Sequence, residues 1–171
     1  MRGAVRGGGG VRTLAGMDAG ARVDDGAARL FVYGLLRRGM SARLGGLVPG
    51  KGRFLAEATA RGFLFSVGGA YPALVTEIDD GTAARFGLDP AAGSPRARVT
   101  GELWAITNEL AWPVLDDFEG IGPDYPPPQL YRREPILART DDGREVPAQA
   151  YVYNRDVADL PPVPSGDWAN R

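Results

Sequence analysis

The sequence predicts an α+β domain: a closed or nearly closed β-sheet with one or two short helices laid on it. Three observations lead there. Short runs of β-branched and aromatic residues recur between residues 30 and 153, and Gly, Pro and Asp separate them. One stretch alone, about 112–118, reads as a helix proper. Near the C-terminus two such runs flank an Asp-Asp-Gly turn, the pattern of a β-hairpin.

Taken in order, "RLFVYGLLRRG" opens the folded part as a central strand that Gly34 stops and turns into a loop. "GRFLAEATARGFLFSVG" alternates at Phe54, Ala56, Ala58 and Ala60 and then runs apolar from 63 to 67, which gives one long bent strand or two. "YPALVTEI" and "RVTGELWAIT" read as further strands, joined by an irregular Pro/Gly-rich connection over 79–97. Gly101, inside the second of these, marks an expected bulge. Thr107 or Asn108 is placed to cap a helical turn, Pro113 fits a first turn, and Gly120 supplies the left-handed residue that ends the helix. "YRREPILART" and "EVPAQAYVYN" form the hairpin, and the Pro-rich tail ends in Trp168, expected to dock on the body.

The chain has 171 residues, 44% of them hydrophobic, which suits one folded domain with a substantial core. Residues 1–28, with a four-glycine run and scattered Arg, read as a flexible extension, and 29–171 as a single domain. No stretch approaches the roughly 18 apolar residues of a membrane helix, so the expectation is a cytoplasmic protein without a membrane partner. Twenty basic residues against 21 acidic ones give a formal charge of −1, which argues against a nucleic-acid partner bound through net positive charge.

Cysteine and histidine are both absent. That excludes disulfides, thiolate nucleophiles and cysteine-bound metal centres. It also leaves acid–base chemistry near neutral pH to a carboxylate, a tyrosine, the single Lys51, the chain's amino terminus or the substrate itself.

The segment "LDDFEG" sets Asp116, Asp117 and Glu119 at the end of the short helix, where the backbone is already negative. Asp116 and Glu119 lie three apart and share a helix face. Alone, such acids read most simply as a solvated helix end. A negative helix terminus, a neighbouring carboxylate and partial burial would all disfavour ionising Glu119, and a glutamate raised toward neutrality becomes a usable general acid and base. A second feature, the Gly-containing loop after the first strand, is either a plain chain reversal or a cradle of backbone N–H groups for an anion.

Other chemistries fit less well. The acids match no calcium loop, and no metal site is expected. Glycosidase carboxylates usually stand on separate elements. The four-glycine run lacks the strand, helix and Lys–Ser/Thr of a phosphate loop. No serine has a histidine to activate it.

Seven stretches then fall in a recognisable order: "FVYGLLRRG" at 31–39, "YPALV" at 71–75, "GELW" at 101–104, "LDDFEG" at 115–120, "YRR" at 131–133, "AYVY" at 150–153 and "SGDW" at 165–168. From about residue 30 to 168 the chain resembles the gamma-glutamyl cyclotransferase-like superfamily, in particular its gamma-glutamylamine cyclotransferase branch. The resemblance implies a small, mixed, β-barrel-like sheet with two main helices. It also implies a small-molecule gamma-glutamyl substrate, whose own α-amine attacks its γ-carbonyl to give 5-oxoproline and a free amine. No cofactor is implied, and a monomer or weak homodimer is expected.

The family's catalytic glutamate matches Glu119, and its substrate loop matches Tyr33, Gly34, Leu35 and Leu36 through their backbone amides. Tyr131 is expected to line the site, and Arg132 or Arg133 to face a substrate carboxylate or solvent. Leu35 departs from the Ser or Thr usual after the Tyr-Gly, which raises an alternative: a member that binds a small carboxylated ligand without turning it over. The segment "GIGPDYPPPQL" is longer and richer in proline than is typical, and reads either as a wall over the pocket or as a rigid surface loop.

Overall fold

The computed structural model describes residues 27–41, 47–89 and 97–171; most of the expected extension, up to residue 26, lies outside the described residues. The strands are β1 (Ala28–Val32), β2 (Gly52–Arg61), β3 (Phe63–Val67), β4 (Tyr71–Val75), β5 (Arg98–Ile106), β6 (Tyr131–Thr140) and β7 (Glu145–Tyr153). Helix α1 spans Asp80–Phe86, helix α2 spans Ala111–Phe118, and a 3-10 turn covers Trp168–Asn170.

Five strands close a barrel in the order β1-β5-β2-β6-β7, while β3 and β4 form a separate antiparallel ribbon. Within the barrel the β1–β5, β5–β2, β2–β6 and β6–β7 pairs are antiparallel. The closing pair, β1 with β7, is parallel, with Leu30 opposite Gln149. The sheet is therefore mixed, as the resemblance implied.

Alternation along the strands makes two cores. All five barrel strands send side chains into one cluster, which includes Phe31, Leu103, Ala58, Ala138, Val146 and Ala150 and fills the barrel interior. A five-stranded barrel is narrow, so alanines line it where larger side chains from facing strands meet. Trp168, at 0% exposure, plugs the same cluster and docks the tail. The intervening positions Leu30, Val32, Trp104 and Tyr153 face the second cluster, which takes in Phe65 and Ala73 of the ribbon and Ala111 and Leu115 of α2.

Of the two readings open for the 52–67 segment, two strands is the one found, broken at Gly62 (φ 150°), where a Cβ would stand 2.7 Å from Val75 O. Two local expectations are corrected. The 79–97 connection is not wholly irregular: it holds α1, capped by Asp79 Oδ1, which accepts from Thr82 N–H at 2.9 Å, and ended by Gly87 at φ 61°. The register shift lies in β2 between Phe54 and Ala56 and not at Gly101. Gly101 is a packing glycine, because a Cβ there would come within 2.6 Å of the Phe31 ring and 2.4 Å of Val32 O.

Candidate active site

Helix α2 owes its end to Gly120. At φ 71° this residue turns the chain, so that Gly120 N–H donates to Asp117 O at 3.1 Å and Ile121 N–H to Asp116 O at 2.8 Å. The paired bonds are a Schellman cap, and they make Glu119 the last half-helical residue. Asn108 caps the turn that leads into the helix, its Oδ1 accepting from Leu110 N–H at 2.9 Å and its carbonyl from Ala111 N–H at 2.9 Å, while Leu110, the N-cap of α2 itself, has no side-chain bond.

Glu119 turns into a cavity of about 200 Å³. The buried walls come from Phe31 and Val32 at the end of β1, Tyr33 just after it, Pro72 on β4, Tyr131 at the start of β6 and Tyr151 on β7. Gly34, Leu35 and Leu36 of the β1 loop line it too, and Tyr71, Phe118 and Leu130 complete it. Every residue singled out from the sequence as catalytic or substrate-binding thus reaches one cavity. At this volume, below the roughly 300–1,000 Å³ of drug-sized sites, the cavity suits a ligand the size of an amino acid.

The electrostatics centre on Glu119. Part of the residue's surface is exposed, yet protein encloses its carboxyl, and this burial pushes its pKa from 4.5 up to about 8. The expected contribution of a like-charged neighbour is not the cause. Asp116 Oδ1 accepts from the Tyr151 hydroxyl at 2.8 Å, and Asp116 Oδ2 lies 3.5 Å from the Arg133 guanidinium, itself stacked over Trp112 at 4.5 Å. Arg133 therefore serves Asp116, Arg132 pairs with Glu134 at 2.9 Å, and neither arginine lines the cavity.

Three tyrosines frame the carboxyl, each with its hydroxyl proton committed. Tyr33 donates to Tyr151 O, Tyr131 to Pro72 O at 2.7 Å and Tyr151 to Asp116. Burial first, and then neighbouring groups, Glu119 among them, hold all three phenols well above their ordinary range, so they stay neutral.

The loop opposite Glu119 is fixed by the barrel. Gly34 is held so close to Pro72 that a Cβ would stand 2.4 Å from Pro72 Cγ. Its carbonyl accepts from Arg37 N–H at 3.0 Å, while the N–H groups of Gly34, Leu35 and Leu36 find no protein acceptor among the described residues. Arg37 reaches Asp167 in the tail at 2.6 Å. Arg38 places its backbone N–H 3.2 Å and its Nε 3.3 Å from the Glu102 carboxylate, which also accepts from Trp104 Nε1 at 3.0 Å.

Glu102, only 3% exposed, was not picked out as a site residue from the sequence; nor were Tyr151, Tyr71 and Pro72. The available signal was a carboxylate inside the apolar strand "GELWAI", which burial obliges to find donors. Leu130 brings one end of the Pro-rich segment to the cavity, and Tyr125 ties that segment to α2 through Asp117 Oδ1 at 2.9 Å. Pro126, Pro127 and Pro128 remain at the surface.

Among the described residues no group of three or more Asp and Glu side chains is arranged to hold a metal ion, and no helix is long and apolar enough to cross a membrane.

Comparison with known proteins follows the same outline. None of the curated proteins matches by sequence. Among solved structures, YkqA from Bacillus subtilis superposes with a TM-score of 0.54 at 24% identity, covering 83% of this chain and 39% of that one, so this chain spans less than half of the Bacillus protein. An AIG2-like protein from Mus musculus gives 0.53 at 22% identity over 80% of this chain and 85% of its own. A protein described as gamma-glutamyl cyclotransferase gives 0.51 at 17%, covering 81% and 72%. At these identities the likenesses establish the shared fold. Residues 30–170 match the profile described as "Gamma-glutamyl cyclotransferase, AIG2-like", and the chain belongs to that family.

Proposed function

We propose that the protein is a gamma-glutamyl(amine) cyclotransferase that releases 5-oxoproline and a free amine, with Glu119 as its general acid and base. The observation that carries the reading is a carboxyl displaced to about 8 in the same small cavity as a loop with unclaimed backbone N–H groups. Ionised Glu119 takes a proton from the substrate's α-ammonium, and the freed amine attacks the γ-carbonyl carbon. The N–H groups of Gly34, Leu35 and Leu36 would receive an anionic oxygen, either the α-carboxylate or the oxyanion of the tetrahedral intermediate, a role supported by their lack of a protein acceptor among the described residues. The carbon–nitrogen bond to the departing amine then breaks. Two protons have left the α-nitrogen, and the departing amine, an ammonium in water, has gained two, the first through Glu119.

Because the nucleophile belongs to the substrate, ring closure is intramolecular and orientation in a tight cavity supplies much of the rate. A carboxyl with a pKa of about 8 is far better matched to an α-ammonium than an ordinary glutamate near 4.5, so proton transfer to it is much less uphill. The test is incubation with a gamma-glutamyl amide and assay for 5-oxoproline. Release by the native protein and loss of about two orders of magnitude or more in Glu119→Gln are expected. Binding of the amide without release by either protein would contradict the enzymatic reading and support a ligand-binding role.

A further inference from the structure

The geometry points to the class of amine released: an apolar alkylamine or arylamine without a carboxylate, rather than an amino acid or peptide. This rests on the reading above that the cavity binds a gamma-glutamyl amide. Such a substrate brings one carboxylate of its own, on the glutamyl α-carbon. The loop N–H groups can satisfy that one anion. Among the described residues lining the cavity, none carries a cationic side chain, and Glu119 is the only carboxylate. A second carboxylate, which any amino-acid or peptide leaving group would bring, meets no countercharge there.

The rim states the preference positively. The less buried lining residues are Leu35, Tyr71, Phe118, Leu130 and Glu119 itself, so the carboxyl sits within an apolar border. Phe118 is 41% exposed, and Val114 on α2 and Leu110 at its N-cap, also exposed, precede it at intervals of four. Those spacings put the three on one helix face, and they are three of the four large exposed hydrophobic residues among those described. An apolar stripe thus runs up to the cavity along the helix that carries Glu119. Asp117, the exposed acid next to Phe118, receives the Tyr125 hydroxyl and does not line the cavity, so a cationic amine is not favoured either.

The experiment compares kcat/KM for 5-oxoproline release from three donors: gamma-glutamyl-benzylamide, gamma-glutamyl-alanine and gamma-glutamyl-putrescine. The benzylamide is expected to be the best by about tenfold or more, the scale on which apolar pockets discriminate. Phe118→Ala, a change at an exposed position, is expected to move the benzylamide-to-alanine ratio toward one. Turnover of the alanine or putrescine donor equal to or above that of the benzylamide overturns the inference and leaves the cyclotransferase reading standing. An unchanged ratio in Phe118→Ala overturns the part assigned to the rim. Release from none of the three overturns both readings together.

Discussion

Arg38 and Glu102, 64 residues apart in the chain, meet through both the backbone and the side chain of the arginine: N–H at 3.2 Å and Nε at 3.3 Å from the carboxylate. Arg38 also stacks over Phe54 at 3.5 Å and reaches Glu57 at 2.7 Å. Its neighbour Arg37 holds Asp167. Two consecutive arginines therefore pin the cavity loop to two sides of the barrel, one at β5 and β2, the other at the C-terminal tail. A loop so held would offer its N–H groups to a substrate anion without first having to be ordered, which is what preorganised binding requires.

Glu102→Gln keeps shape and the Trp104 bond but removes the charge that two Arg38 donors share. Stability is expected to fall by about 1–3 kcal/mol, the range for losing a charge-assisted bond at a buried group. KM for a gamma-glutamyl amide should rise more than kcat falls, because the loop binds while Glu119 does the proton transfer. Urea denaturation and steady-state kinetics on the same preparation measure both. A kcat loss at unchanged KM would show that the clamp does not act through binding.

Gly34→Ala forces a methyl to within 2.4 Å of the Pro72 ring, which cannot swing aside as a flexible chain end could. Overpacking of this kind costs about 1–3 kcal/mol, and here it also displaces the loop. Thermal unfolding should show the loss, and Pro72→Ala in the same chain should recover part of it, since the pair is in contact and non-additive. Failure of the second change to help would place the strain elsewhere.

Glu119 should be a liability for stability. Its pKa is 4.5 when unfolded and about 8 when folded, so between those values the folded state keeps a proton that the unfolded state has released. Its contribution to stability therefore declines as pH rises from about 4.5 to 8 and is level beyond. At roughly 1.4 kcal/mol per pH unit up to the folded pKa, Glu119→Gln should gain about 3 kcal/mol over the native protein between pH 5.5 and pH 9. Denaturant midpoints at the two pH values measure it; a gain that shrinks toward alkaline pH would contradict the burial of this carboxyl.

Local signals were readable where the cause is local. Gly120 ends α2, and Gly143, at φ 83°, occupies the left-handed place in the β6–β7 turn, where Gly143 N–H donates to Thr140 O at 2.8 Å. Helix α1 was overlooked although its signals were present, Asp79 three residues before Thr82 and Gly87 at the end, because Gly81 and the surrounding Pro and Gly outweighed them. Long-range causes were not readable. The strand order, the contact of Phe31 that requires Gly101, and the partners of Glu102 all depend on residues far apart in the chain. The placement of Glu119 followed from motif order, and burial was among the causes expected to raise its pKa; the expected like-charged neighbour plays no part, because Asp116 turns to Tyr151 and Arg133, partners that are set by the tertiary fold.

The most direct test of the central claim is the pH dependence of kcat/KM for a gamma-glutamyl amide, which reports ionisation in the free enzyme. Since the base must be unprotonated to accept the α-ammonium proton, the rate should climb tenfold per pH unit on the acid side and level near pH 8, and the Glu119→Gln protein should lack that limb. A plateau already reached near pH 5, or the same limb in Glu119→Gln, would contradict the assignment of Glu119 as the enclosed, proton-transferring group.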